Sequence, residues 1–346
     1  MIEIKLAKKV IQQHKLFVLG ENKSVKNRLY LKLKNAIEFE EKEKIRVILS
    51  FIFNNLETIL IGHVKQLDRF KNVFDYMVDN IKDEKELIYL YSVLEMFLDE
   101  YKYFYRSPGW NAYSFQKAIG ITICPYCATQ FIFLYESDTG KTRGTLDHFF
   151  DKATYPFLAL SIYNLVPCCK VCNSDFKGKK NVQLDTHYSP FEEGLIKYVR
   201  FKKEIIPTSK EEIKSRVIEH CMEKVLEEDI DYVAVFLGAN DEFNLKIDYS
   251  AAPKDIQKKI KGNLDLFQLE EIYNTFHKPY VQSIIKKASI YNYTYRQQLM
   301  NAYSTFFNNK EELTESLIPP ITDDKKTILG KLTREIIEDE TKGFTI

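Results

Sequence analysis

The sequence predicts an α+β protein, predominantly α-helical, with a small cysteine-rich module embedded between two helical regions. Three observations carry this. Apolar residues recur at three- and four-residue steps over much of residues 27–105 and again beyond residue 209, the spacing of one buried helix face. The texture changes near Ala118, and helical periodicity is weak through residue 181. Five of the six cysteines fall within residues 121–181. The boundaries this predicts are a helical domain 1–120, a module 121–181 and a mainly helical domain 182–346.

In the first region, Leu29, Leu33 and Ile37 lead into Ile45, Ile48, Leu49, Ile52, Phe53, Leu56 and Leu60. Glu84–Tyr105 repeats the pattern with Leu87, Leu90, Leu94, Phe97 and Leu98, and Ser107-Pro108-Gly109 ends it. Within the module, Phe131–Tyr135 reads as a strand, Ser137–Gly140 as its turn and Gly144–Phe150 as the return strand. A short helix is expected from Lys170 to Lys177. Residues 195–206 read as a strand pair. Helical patterns return in Glu211–Glu228, Leu266–Ile290, Thr294–Asn308 and, after Pro319-Pro320, in Lys325–Glu340.

Composition excludes several classes. Of 346 residues, 50 are Lys or Arg and 49 Asp or Glu, so the protein does not bind polyanions by net charge alone. Hydrophobic residues at 45% are too many for a disordered chain. No run approaches the roughly 20 apolar residues of a membrane helix. Met1–Val10 lacks the apolar core of a signal peptide. The expected location is the cytoplasm, with no membrane partner. In a reducing compartment, paired Cys-x-x-Cys units read as metal ligands before disulfides.

Cys124-Pro-Tyr-Cys127 and Cys169-Lys-Val-Cys172 are two such units, 41 residues apart. Together they supply four thiolates, which Zn²⁺ closes into a tetrahedron that staples a region with little apolar core. Cys168 could stand in for Cys169, but Cys169 keeps the two-residue spacing, and Cys168 reads as a small buried residue. Cys221 reads as helix core. A redox dithiol would need one unit in a βαβ context.

Between the knuckles lie Leu146-Asp147-His148-Phe149-Phe150, Tyr155-Pro156 and Asn164-Leu165-Val166-Pro167. After them come Asn173 and Lys177-Gly178-Lys179-Lys180. In this order the residues resemble the HNH endonucleases, the ββα-metal or His-Me finger nucleases, over residues 121–180. The resemblance implies a ββα-metal module that hydrolyses phosphodiesters. It implies His148 as general base, with an ordinary pKa of about 6.5. It implies Asp147 and Asn173 as ligands of a catalytic divalent ion, and Asn164 as the residue that pins the base-bearing loop. Asn173 stands where the family name places its last His, which favours Mg²⁺ or Mn²⁺ at that position. Adjacent strand residues face opposite sides, so the Asp147-His148 pair is expected at a strand end.

Lys170, Lys177 and Lys179 are the expected phosphate contacts, and such contacts carry no sequence information. Where many relatives have Pro-Lys, this chain has Asp151-Lys152, which puts the substrate role of Lys152 in doubt. The chain also resembles the HNH subunit of Septu-type and retron-associated anti-phage defence systems. That implies an ATPase partner, with the flanking helices as docking surface or scaffold. Duplex DNA is the expected substrate, and because free cleavage of host DNA would be toxic, a partner or trigger is expected to gate activity. A catalytically inactive zinc module that binds nucleic acid or a partner, and an RNA-cleaving nuclease, are the alternatives. His187 lies close enough in sequence to approach the phosphate. His14, His63, His220 and His277 receive no role, and Tyr101, Tyr103 and Tyr105 read as packing before base stacking.

Overall fold

The computed structural model describes residues 2–20, 24–205, 237–290, 293–303 and 325–341, with Val235 and Leu313. The expected helix 211–228, with His220 and Cys221, and the Pro319-Pro320 break lie outside the described residues. The described chain is mostly helical with three two-stranded antiparallel sheets. It divides into two compact units, residues 1–196 with 254–267, and residues 197–253 with 268–346. No helix among the described residues is long and apolar enough to cross a membrane.

The first unit begins with helices α1 (Lys8–Leu19), α2 (Val25–Glu38), α3 (Glu43–Asn54), α4 (Leu56–Ile61), α5 (Val64–Asp79), α6 (Glu84–Arg106) and α7 (Ala112–Ile119). Local chemistry fixes their ends. The hydroxyl of Ser24 accepts from the backbone N–H of Asn27 and starts α2. Asp83 caps α6, whose first turn carries Glu84 and Glu86, the sign its dipole favours. Gly109, at φ 81°, follows the end of α6. The periodic positions Leu29, Leu33, Ile45, Ile48, Leu49, Ile52, Leu56, Leu60, Leu90, Leu94 and Phe97 are all buried. Arg28 of α2 reaches both carboxylate oxygens of the buried Glu100 on α6, at 2.6–3.1 Å.

The cysteine module is part of this unit, whereas the sequence reading separates them at residue 120. Aromatic packing is the reason. Phe74 of α5 lies 4.8 Å from Phe157 and 6.2 Å from Tyr155, ring centre to ring centre. Truncating a buried ring such as Phe157 to alanine would cost about 3–5 kcal/mol. Helix α8 (Lys254–Leu266) also belongs here. Asn263 exchanges two 2.9 Å hydrogen bonds with the backbone of Tyr188. The helix comes so close at Gly262 that a Cβ there would sit 2.0 Å from the carbonyl oxygen of Thr186.

Strand pairing departs from expectation. The short strands β1 (Tyr135–Glu136) and β2 (Lys141–Thr142) flank the predicted turn. Strand β3 (Thr145–His148) does not return against residues 131–135. It pairs with β4 (Leu165–Cys168), with His148 opposite Leu165. The 131–135 segment instead meets the chain before the first knuckle, where Phe131 bridges Ile123 and Ile132 N donates to Thr122 O, whereas all four residues of β4 are buried. A π-helix, Val171–Lys177, follows β4 where the short helix was expected.

In the second unit, β5 (Arg200–Ile205) pairs with β6 (Phe243–Asp248) and not within residues 195–206. Helices α9 (Leu269–Phe276), α10 (Lys278–Ile290), α11 (Tyr293–Ala302) and α12 (Gly330–Thr341) complete it. The predicted helix 266–290 is broken at Gln268, which has φ 48°, and again at His277. Helix side chains satisfy the sheet's free edges, which would otherwise be open to pairing. Asn274 takes both backbone groups of Leu245, Glu270 accepts from Ile247 N, and Glu335 accepts from Phe201 N.

Candidate active site

The four knuckle cysteines come together. The sulfurs of Cys124, Cys127, Cys169 and Cys172 all lie within 4.8 Å of one another, and all four residues are buried. A tetrahedral zinc site spaces its sulfurs by about 3.8 Å. The group could therefore hold a metal ion such as zinc. Local backbone builds it. Ala128 adopts φ 57° just after the first knuckle and donates to Cys124 O at 2.9 Å. Cys172 N points at Cys169 Sγ, at 3.4 Å. Hydrogen bonds from Cys124 hold the Cys127 and Cys169 thiols low, while burial pushes Cys124 up. Cys168 stays outside the group, buried beside Thr145.

β3 carries Asp147 and His148 to different neighbours, as strand alternation requires. His148 ends the strand and is buried. Its Nε2 donates to Ala159 O at 3.0 Å, which places the proton there and leaves the lone pair on Nδ1. Nδ1 has no hydrogen-bond partner among the described residues. The imidazole meets the ring of Tyr101 edge-on at 4.6 Å. Burial, and then the nearby Lys152 charge, lower its pKa to about 3, so the ring is neutral at pH 7.

Asp147 is buried on the other side. Its Oδ2 accepts from the Tyr126 hydroxyl at 2.6 Å and its Oδ1 from Lys177 Nζ at 2.6 Å. Tyr126 belongs to the first knuckle, and its ring stacks on Phe267 at 4.5 Å. Burial and the Asp147 charge push the Tyr126 phenol up, keeping it a donor. Lys177 also donates to the backbone oxygen of His148. Its side chain is 3% exposed, so it is the buried partner of Asp147 and not the solvated phosphate contact that the sequence suggests.

Asn164 is fully buried. Its Oδ1 accepts from Phe150 N at 2.7 Å, and its Nδ2 donates to Phe150 O and Leu158 O. It ties both ends of the loop that supplies Ala159 O to His148. Asn173 is half-buried on the π-helix, with its side chain unbonded among the described residues. Lys170 and Lys179 are exposed. His187 bonds Thr186 through Nδ1 at 2.8 Å. His14 is buried between Trp110 and Leu160 O, a structural position.

Sequence reasoning missed Tyr126 and Tyr101. Tyr126 was hidden as a spacer residue within its knuckle. Tyr101 was hidden by strand-like alternation with Tyr103 and Tyr105. In a helix Tyr103 turns away from the other two, and of the three only Tyr101 is buried. No protein-family model, curated protein or solved structure matches this chain.

Proposed function

We propose that the protein is an HNH-type endonuclease that hydrolyses phosphodiester bonds, with His148 as general base. The single observation that carries this is the His148 tautomer. Its N–H is committed to Ala159 O, and its free lone pair is held at the end of β3 in a β–β–helix segment stapled by four cysteines. A neutral imidazole so oriented takes a proton from water as the water oxygen attacks phosphorus. The bond to the leaving 3′-oxygen breaks. Asn164 holds the loop whose carbonyl orients the ring, and an approaching phosphate raises the imidazole's basicity.

Asp147 and Asn173 are the residues that would hold a hard divalent ion such as Mg²⁺ or Mn²⁺. Bound there, it would stabilise charge at phosphorus and the leaving oxygen. Lys177 would then have to give up Oδ1 of Asp147. That engagement favours one second reading, a finger that has kept its zinc staple and binds nucleic acid without cutting it. Duplex DNA as substrate and an ATPase partner in anti-phage defence come from the sequence reading, and RNA is the rival substrate because attack by water does not need the 2′-hydroxyl.

The test is cleavage of supercoiled plasmid by purified protein in Mg²⁺ or Mn²⁺, beside His148→Ala. Cutting that vanishes in a folded, zinc-loaded variant supports the reading. Equal cutting by the variant removes His148 from the mechanism. Metal-independent DNA binding without cutting, also with the partner added, favours the binding module.

A further inference from the structure

Three cations lie around His148 and the Tyr101–Tyr105 face of α6, and among the described residues two of them form no ion pair. Lys177 is neutralised by Asp147. Lys152 places its Nζ 4.9 Å from the centre of the Tyr101 ring, and the same ring meets His148. The Arg143 guanidinium lies 4.3 Å from the centre of the Tyr105 ring and 5.5 Å from that of Tyr113. Tyr105 and Tyr101 are one turn apart on α6, with ring centres 6.1 Å apart. An aromatic face holds a cation in place without neutralising it. Among the described residues neither Arg143 nor Lys152 forms an ion pair. Arg143 donates once, to Gly144 O at 2.6 Å, and its buried Nη2 has no partner.

The carboxylate beside Lys152 does not block it. Asp151 Oδ2 accepts from Ala153 N, Thr154 N and Thr154 Oγ1 at 3.0–3.1 Å. It is engaged in its own turn. Arg143 and Lys152 lie over two different rings, those of Tyr105 and Tyr101, and so mark two places along α6.

We propose that Lys152 and Arg143 are the phosphate-binding side chains of this site. Lys152 takes the phosphate that His148 faces. Arg143 takes another phosphate of the same strand, along the Tyr101–Tyr105 face of α6. This rests on the phosphodiesterase reading and replaces Lys177 as the expected contact. The ligand is a nucleic-acid backbone, and an unpaired, half-buried cation gains most from a charged acceptor.

The experiment uses the full-length protein with a short labelled DNA duplex and, in a second arm, an RNA strand. Binding is read by anisotropy in EDTA over a salt series, and cleavage is read in Mn²⁺. Arg143→Gln is expected to weaken binding about tenfold and to reduce the salt slope by about 1. Lys152→Gln is expected to lower kcat about 100-fold, the effect of losing one charge-stabilising donor. Arg143→Lys and Lys152→Arg, which keep the charge, are expected to recover most of each loss, and they distinguish it from misfolding. Lys141→Gln, an exposed lysine paired with Glu136, serves as the surface control. If both glutamine variants bind and cut like the parent while His148→Ala is inactive, the cation assignment falls and the nuclease reading stands. If the charge-keeping variants lose as much as the glutamine variants, the assignment also falls. If the parent neither binds nor cuts DNA or RNA, both fall.

Discussion

Lys177 Nζ sits 2.6 Å from Asp147 Oδ1, and the two side chains are 3% and 4% exposed. A buried pair of this kind depends on both members, because removing one leaves an uncompensated charge. It also sets a competition, since the ammonium holds the oxygen that a divalent ion would take.

Lys177→Met is therefore expected to destabilise the protein by about 3–5 kcal/mol in EDTA. Mn²⁺ should restore part of that loss by taking over the carboxylate. The measurement is urea unfolding of parent and variant with and without Mn²⁺. Stabilisation of the parent by as much as the variant would show that the ion binds elsewhere.

His14 predicts a pH dependence of stability. Burial lowers its pKa from 6.5 to about 4. Between those values the unfolded chain binds the extra proton, so this contribution is present above pH 6.5 and is lost as pH falls towards 4. From pH 7 to pH 5 the loss is about 2 kcal/mol. Unfolding at the two pH values, for the parent and His14→Gln, checks it. A pH sensitivity unchanged in the variant would assign the effect to other groups.

The four cysteines predict one tightly held metal ion per chain, measurable by elemental analysis. Cys127→Ser should lose it and lower Tm by on the order of 10 °C. A metal-free variant with the parent's Tm would show that the group is only a cluster of buried thiols.

What the sequence makes legible follows from what its physics fixes locally. The spacing of Cys124, Cys127, Cys169 and Cys172 survives into the structure because Cys-x-x-Cys geometry is set within one turn. Most of the periodic leucines and isoleucines of α2–α6 are buried because a helix face is written in a few residues. Strand partners are not local. Residues 131–135 are the more apolar run, yet β3 pairs with β4, because burial against the surrounding helices decides the register. Lys177 misleads for the same reason. Three lysines in a row of four look solvated, and only the tertiary position of Asp147 draws one of them inward. Asp151, which looks like an obstacle to substrate, is taken up by its own turn, accepting from Ala153 and Thr154.

Tyr126 sits between two cysteine ligands and ends its side chain on Asp147, 2.6 Å away. An ion held by the four cysteines would thus be one side chain from Asp147. Whatever shifts the first knuckle also shifts a hydrogen bond to Asp147. On the nuclease reading, chelation of such an ion would reach Asp147 through Tyr126, so metal removal and loss of the site would travel together.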